Sequence, residues 1–119
     1  MEMRRAPRDI SADDFFTRWI PASVASDHVR REKLGTTVAR IVFELEGPEG
    51  GPFTIDIEQG VVAGRVGDHG DEHLRVRVDI ITWRKLNSGE LSAPEALLKR
   101  RLKLSGDFIL GLKLHLILS

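Results

Sequence analysis

The sequence predicts an α+β fold: a five-stranded antiparallel sheet covered by helices. Three observations carry that expectation. Apolar and polar residues alternate through the middle of the chain, the connections between these runs are short and rich in Gly, and helix-start signals lie in the segments outside them.

The first element is helical. Ser11 is placed to cap it, Asp13 and Asp14 put negative charge in its first turn, and Phe15, Phe16, Trp19 and Ile20 share one face. Pro21 cannot donate a backbone hydrogen bond, so a kink or break is expected before the segment ends near Ser26. The charged run Asp27 to Lys33 reads as linker.

The period then changes from helical to alternating. Val38, Ile41, Phe43 and Leu45 form a first strand that ends at the turn "GPEGGP", and Phe53, Ile55 and Ile57 form a second. Gln59-Gly60 turns the chain into a third strand through Val61 and Val62. After the polar loop "GDHGDEH", Leu74, Val76, Val78 and Ile80 alternate with Arg75, Arg77 and Asp79 in a fourth. Short connections of this kind suit antiparallel pairing.

Helix signals return at Trp83 and Leu86, which have helical spacing and end before Gly89. A second short helix follows, with Ser92 as cap and Pro94 and Glu95 in its first turn. Leu102 and Leu104 flank Lys103 in a fifth strand. From Phe108 to Leu118 the pattern is ambiguous: five leucines alternate as in a strand, whereas leucine-rich composition and the "SGD" triplet before them favour a helix capped by Asp107.

Composition narrows the function. At 119 residues and 41% hydrophobic, the chain fits one domain that removes roughly two-thirds of its unfolded surface from water. It has no cysteine, which excludes a disulfide framework and thiolate chemistry and fits a reducing cytoplasm. No apolar run has the length of a signal peptide or of a membrane span. Net charge is zero but unevenly spread. Glu44 to Glu72 is acidic and Arg75 to Lys103 is basic, which reads as two solvated, complementary faces, with a basic rim for anionic membranes as the functional alternative.

Residues 88–114, "SGELSAPEALLKRRLKLSGDFILGLKL", resemble the closing signature of the sterol carrier protein type 2 lipid-transfer domains. Gly89, Glu90, Pro94, Leu102, Leu104, Gly106 and Asp107 fall at the matching places, while Arg101 stands where a small residue is commoner. The likeness extends over about residues 35–119, behind an N-terminal helix and linker in residues 1–34, all within a single domain. The wording "RRLKLSGD" is also similar to a bacterial branch that assists ubiquinone synthesis. The chain departs from peroxisomal members by ending in Ile117-Leu118-Ser119.

The resemblance implies that the C-terminal run is a helix closing an apolar tunnel over the sheet. A helix apolar nearly all round needs cover on more than one side, from protein, a partner chain or a lipid. Phe108, Leu112 and Leu116, which recur every four residues, are the candidate lipid-lining stripe, with Trp83 and Leu86 as the opposite wall and His115 as a head-group contact. The implied function is an intracellular carrier for a fatty acyl chain, a sterol or an isoprenoid quinone intermediate, with no catalytic residue, cofactor or metal. Transient contact with an anionic membrane or with lipid enzymes, and a monomeric or homodimeric state, are the implied partnerships.

The rival reading is an interaction or dimerisation module whose oily C-terminus is core or interface. An enzyme has little support. "DHGDEH" offers metal-ligand residue types without a helix to align them, and there is no Gly-x-Ser-x-Gly elbow or phosphate loop. Lys99, Arg100, Arg101 and Lys103 are too few, against zero net charge, to suggest nucleic acid.

Overall fold

The computed structural model describes residues 6–118, with every side chain among them except that of His115. Residues 1–5 and the expected head-group role of His115 therefore lie outside the described parts. Helical segments α1 (Ala12–Asp14), a π-helical turn (Phe15–Trp19), α2 (Ile20–Ala25) and α3 (His28–Leu34) precede β1 (Ala39–Glu46), β2 (Gly51–Glu58), β3 (Val61–Val66) and β4 (Leu74–Asp79). Next come α4 (Ile80–Ser88), α5 (Ala93–Leu98), β5 (Leu102–Gly106), α6 (Phe108–Leu112) and α7 (His115–Leu118).

Five strands form one sheet in the order β3-β2-β1-β4-β5. Three of the four pairings are antiparallel, as expected, but β1 and β4 run parallel. The sheet is mixed because "GDHGDEH" does not close a hairpin. It leaves the β3 edge and straps back across the sheet to start β4 on the far side of β1. Crossing three strand spacings covers about 14 Å. Val66 aligns through Phe53 with Phe43, whereas Leu74 aligns with Ile41, so β4 starts only two residues back along the sheet. Seven extended residues reach about 23 Å, enough for the crossing without a helix.

Alternation divides the sheet into two unlike faces. Ile41, Phe43, Phe53, Ile55, Leu74 and Val76 point to one side, where the helices pack, and all are buried. The other side carries Arg40, Glu44, Asp56, Arg75 and Arg77, with the strap laid over Val42 and Thr54, which are fully buried. The acidic middle and the basic last third of the sequence meet here. Arg75 pairs with Glu44, with Asp68 at 2.8 Å and with Glu72 at 3.0 Å, while Arg77 pairs with Glu44 at 2.9 Å and Arg40 with Asp56 at 2.7 Å.

In the N-terminal third one expectation takes a definite form and another is corrected. Pro21 is accommodated by a distortion and not by a break: the backbone widens just before it, with the Ile20 amide donating to the Phe15 carbonyl, and this π-turn absorbs the strain of the proline ring. Asp27 to Lys33 is not linker. Asp27 caps α3 through the Arg30 amide at 3.1 Å, and Arg30 and Leu34 turn inward, the guanidinium meeting Ser23 and Asp27.

Phe16 stacks on Phe53 at 4.8 Å between ring centroids and lies 4.9 Å from Phe43, anchoring the π-turn to the apolar face. Gly64 of β3 makes that approach close. A Cβ there would stand 1.9 Å from the Phe16 carbonyl oxygen, so any side chain would push the N-terminal helix off the sheet. The caps Ser11, Ser92 and Asp107 form as expected, and Asp79, at the end of β4, adds one for α4.

Candidate functional site

Gly106 turns the chain sharply from β5 into the C-terminal segment, with φ +112° and the His73 carbonyl only 2.4 Å from where a Cβ would sit. Asp107 follows and accepts from the amides of Ile109 at 3.0 Å and Leu110 at 3.1 Å. The segment is then helical but not one helix. α6 ends at Leu112, Lys113 and Leu114 make a turn, and α7 resumes at His115. Two short helices let Leu110, Leu114, Leu116 and Ile117 all reach the core, which a single straight rod of this composition could not arrange on one side.

The expected lining residues are distributed accordingly. Trp83 of α4 is buried in an aromatic cluster, its ring 5.3 Å from that of Phe15 and 6.2 Å from that of Phe16. Its indole N–H is buried without a hydrogen-bond partner among the described residues. Leu86, one turn further along α4, is half-buried against the core. Leu116 is buried. Phe108 and Leu112 share the outer face of α6 and are 65% and 76% exposed. The structure thus brings Phe108 together with Leu112, and separates both from Leu116 and from the Trp83 cluster.

Ile109, 73% exposed, completes the outward apolar face of α6, and Val38 is exposed beside it at the entry to β1. Neither was expected as a lining residue. The signal for Ile109 was present as i, i+3 spacing with Leu112; Val38 was expected as an inward residue of the first strand, but it lies just before β1 and is exposed.

Two clefts flank the helices. One, of about 420 Å³, opens between α2 and the β2–β3 turn, with Pro21, Ala25, Arg31 and Val61 among its walls. The other, of about 110 Å³, lies between the start of β1 and α6 and includes Val38, His73, Ile109 and Lys113. Both are open grooves. Among the described residues no group of three or more His, Asp or Glu converges as metal ligands would, and no helix is long and apolar enough to cross a membrane. In the strap, His69 Nε2 lies 3.1 Å from the Val66 carbonyl and His73 Nδ1 accepts from the Arg40 amide at 3.0 Å.

Electrostatics concentrate on the opposite face of the sheet. A hydrogen bond from Arg77 pulls Glu44 down most strongly, burial opposes it, and a hydrogen bond from Arg75 with the charges of both arginines leaves the carboxyl below the usual carboxylate range. Burial pushes Asp56 up, but Arg40 and Arg65 together outweigh it and leave it lowered. Glu72 is lowered by Arg75, and Asp68 by the Gly70 amide and then by Arg75. Asp56 ties β2 to β1 and β3 through Arg40 and Arg65, while Arg75 ties the strap residues Asp68 and Glu72 to β4.

Comparison with known proteins supplies the context for the apolar side. Human hydroxysteroid dehydrogenase-like protein 2 is 26% identical over 122 residues, covering 100% of this chain and 27% of that protein. The chain therefore spans about a quarter of that relative's length. The sec-alkylsulfatase Pisa1 from Pseudomonas sp. superposes with a TM-score of 0.70 at 22% identity, over 94% of this chain and 17% of that one. Palmitated SCP2L2 from Aedes aegypti does so with a TM-score of 0.70 at 21% identity, over 88% of this chain and 91% of that one. UbiJ-SCP2, a ubiquinone synthesis protein, gives a TM-score of 0.56 at 16% identity, over 86% and 81% of the two chains. These structures share the fold. The SCP-2 sterol transfer family model matches residues 18–119, from the π-turn through the whole sheet and both C-terminal helices, and the chain belongs to that family.

Proposed function

We propose that this chain is a carrier that holds one apolar ligand between the apolar face of the sheet and the C-terminal segment, and performs no chemistry on it. The carrying observation is α6: a member of a sterol-transfer family places Phe108, Ile109 and Leu112 outward on a five-residue helix that also closes the apolar face. Such a helix has little stability of its own, so opening it locally costs much less than unfolding the domain.

Trp83, Leu86, Phe108, Leu112 and Leu116 are the proposed lining. In the structure at hand they do not share one surface, so a ligand entering beneath α6 and α7 would exchange the inner contacts of Leu110, Leu114 and Leu116 for its own. The unmet indole N–H of Trp83 gives a ligand oxygen one donor to gain.

The energetics are undemanding. Burying a CH₂ is worth about 0.8 kcal/mol, so a chain of about 16 carbons releases roughly 12 kcal/mol gross, and micromolar affinity survives association costs of several kcal/mol. The palmitated relative and the ubiquinone synthesis protein point to fatty acyl and isoprenoid quinone intermediates as cargo classes, and the family name to sterols. A cytoplasmic site of action and brief encounters with anionic membranes or lipid enzymes follow from the same reading.

Organic extraction of purified protein followed by lipid mass spectrometry tests it: stoichiometric co-purified lipid is the expected result. An empty protein that ignores acyl chains in dialysis would defeat the carrier reading. The same exposed Phe108, Ile109 and Leu112 also fit a homodimer interface, and concentration-dependent light scattering reads that alternative directly.

A further inference from the structure

We infer that the end of α5 and the turn after it, residues 97–103, form a docking surface for an anionic lipid bilayer. This rests on the carrier reading and adds to it the place where the carrier meets the membrane that its cargo leaves or enters.

Lys99, Arg100, Arg101 and Lys103 follow one another closely, and all four are exposed. Among the described residues only Lys99 has a carboxylate within 4.0 Å, that of Glu95 at 3.5 Å. Lys103 lies opposite Arg77 in the pairing of β4 with β5, and Arg77 is already taken by Glu44 at 2.9 Å and Glu46 at 3.4 Å. Asp79 sits at the same end of the sheet, but its oxygens accept from the Thr82 amide at 2.7 Å and the Thr82 hydroxyl at 2.8 Å as the α4 cap. Arg100, Arg101 and Lys103 therefore keep their charge for an outside partner, unlike Arg40 and Arg75 on the polar face of the sheet.

The charge flanks apolar side chains that the chain itself leaves uncovered. α5 buries Ala96 alone and turns Ala93, Pro94, Leu97 and Leu98 outward, with Leu98 85% exposed at its last position. Cations beside an exposed leucine match the layering of a bilayer surface, where phosphates lie outermost and hydrocarbon just beneath. Neither cleft includes these residues, and a fluid bilayer, unlike a peptide, needs no groove to receive it.

The backbone of the turn carries the same choice. The Arg101 amide donates to the Ala96 carbonyl at 2.8 Å and the Arg100 amide to the Leu97 carbonyl at 3.1 Å, a helix-closing motif whose left-handed residue is usually glycine. Here that residue is Arg100, at φ +57°, and the next, where an apolar side chain commonly folds back onto the helix, is Arg101. Local stability favours glycine at this position, and the sequence holds a cation there instead.

Vesicle flotation tests the surface, with phosphatidylcholine vesicles prepared with and without phosphatidylglycerol. Wild type is expected to float with the mixed vesicles, to stay behind with phosphatidylcholine alone, and to be released as salt rises. Arg100→Gly and Lys103→Gln should each lower the partition about five-fold, the effect of one charge near the surface. Arg18→Gln, which removes an exposed cation from the helical turn over the β3 edge, at the other side of the sheet, should leave it unchanged. Arg100→Gly should also raise the melting temperature, so its weaker binding cannot come from lost folding. Leu98→Ser should weaken binding without altering the salt dependence. Wild type that ignores the mixed vesicles yet binds dodecanoate in dialysis would overturn the docking surface and leave the carrier reading intact. So would an Arg18→Gln protein weakened as much as Arg100→Gly, or capture by polyglutamate without vesicle binding, which would assign the turn to an acidic protein. Vesicle binding that falls with Arg100→Gly in a protein that takes up no acyl chain would uphold the surface and defeat the carrier reading.

Discussion

The Thr54 hydroxyl donates to the Gly67 carbonyl at 2.7 Å, and the same oxygen accepts from the His69 amide at 3.1 Å. One fully buried side chain on the polar face thus pins the first turn of the strap that carries the chain from β3 to β4. Thr54→Val keeps the shape and the strand propensity but orphans a carbonyl and an amide. It should destabilise the domain by about 1–3 kcal/mol in urea unfolding, with the m-value unchanged. A loss below about 0.5 kcal/mol would mean that water satisfies those groups and the strap is held by its ion pairs alone.

Those ion pairs give a prediction for acid. Glu44, Asp56, Asp68 and Glu72 are all held below their ordinary values by arginines or backbone amides, so each binds its proton less readily folded than unfolded. The stability they contribute is fully present above the ordinary carboxylate range and is lost as pH falls below about 4. Thermal midpoints should be flat from neutral pH down to about 5 and then drop. Arg75→Met removes the partner shared by Glu44, Asp68 and Glu72 and should shallow that drop while lowering the neutral-pH midpoint. An acid slope identical to that of wild type would show that the network contributes nothing net.

Asp107 tests the start of the C-terminal segment. Its carboxylate satisfies the Ile109 and Leu110 amides, so Asp107→Ala should cost about 1 kcal/mol and Asp107→Asn much less. An unchanged melting temperature in the alanine variant would mean that the amides find water instead.

Much of this molecule was legible in its sequence, and the parts that were not have a common cause. Ser11, Ser92 and Asp107 announce their helices through short-range hydrogen bonds, and the alternation of Ile41, Phe43 and Leu45 announces which face is buried, because both are local matters. Alternation does not say which strand lies beside which. The parallel pairing of β1 with β4 depends on a strap whose anchor, Thr54, is a polar residue in a strand and looks like any outward-facing threonine. α3 was hidden because its inward residues are Arg30 and Leu34, and a buried arginine joined to Ser23 and Asp27 leaves no apolar stripe to read. The lipid-lining stripe at every fourth residue assumed one unbroken helix. The turn at Lys113 and Leu114 rotates Leu116 into the core and leaves Phe108 and Leu112 outside, and nothing in a run of leucines marks where that turn falls.

Leu112 separates a ligand surface from a structural one. Because it is 76% exposed, Leu112→Asp should shift unfolding by no more than about 0.5 kcal/mol, whereas a charge at the buried Leu110 would be expected to unfold the domain. If the outer face of α6 touches cargo, the same Leu112→Asp substitution weakens dodecanoate binding well beyond its effect on stability, since the new carboxylate must be desolvated beside the tail. Trp83 reports from the other wall. Buried against Phe15 and Phe16, it should emit at short wavelength, and a Trp19→Phe background leaves it as the sole tryptophan. Ligand reaching between α4 and the C-terminal segment should change its intensity or wavelength in step with dialysis. Bound ligand with flat Trp83 emission would remove Trp83 and Leu86 from the lining, and a Leu112→Asp protein with wild-type affinity would remove the outer face of α6.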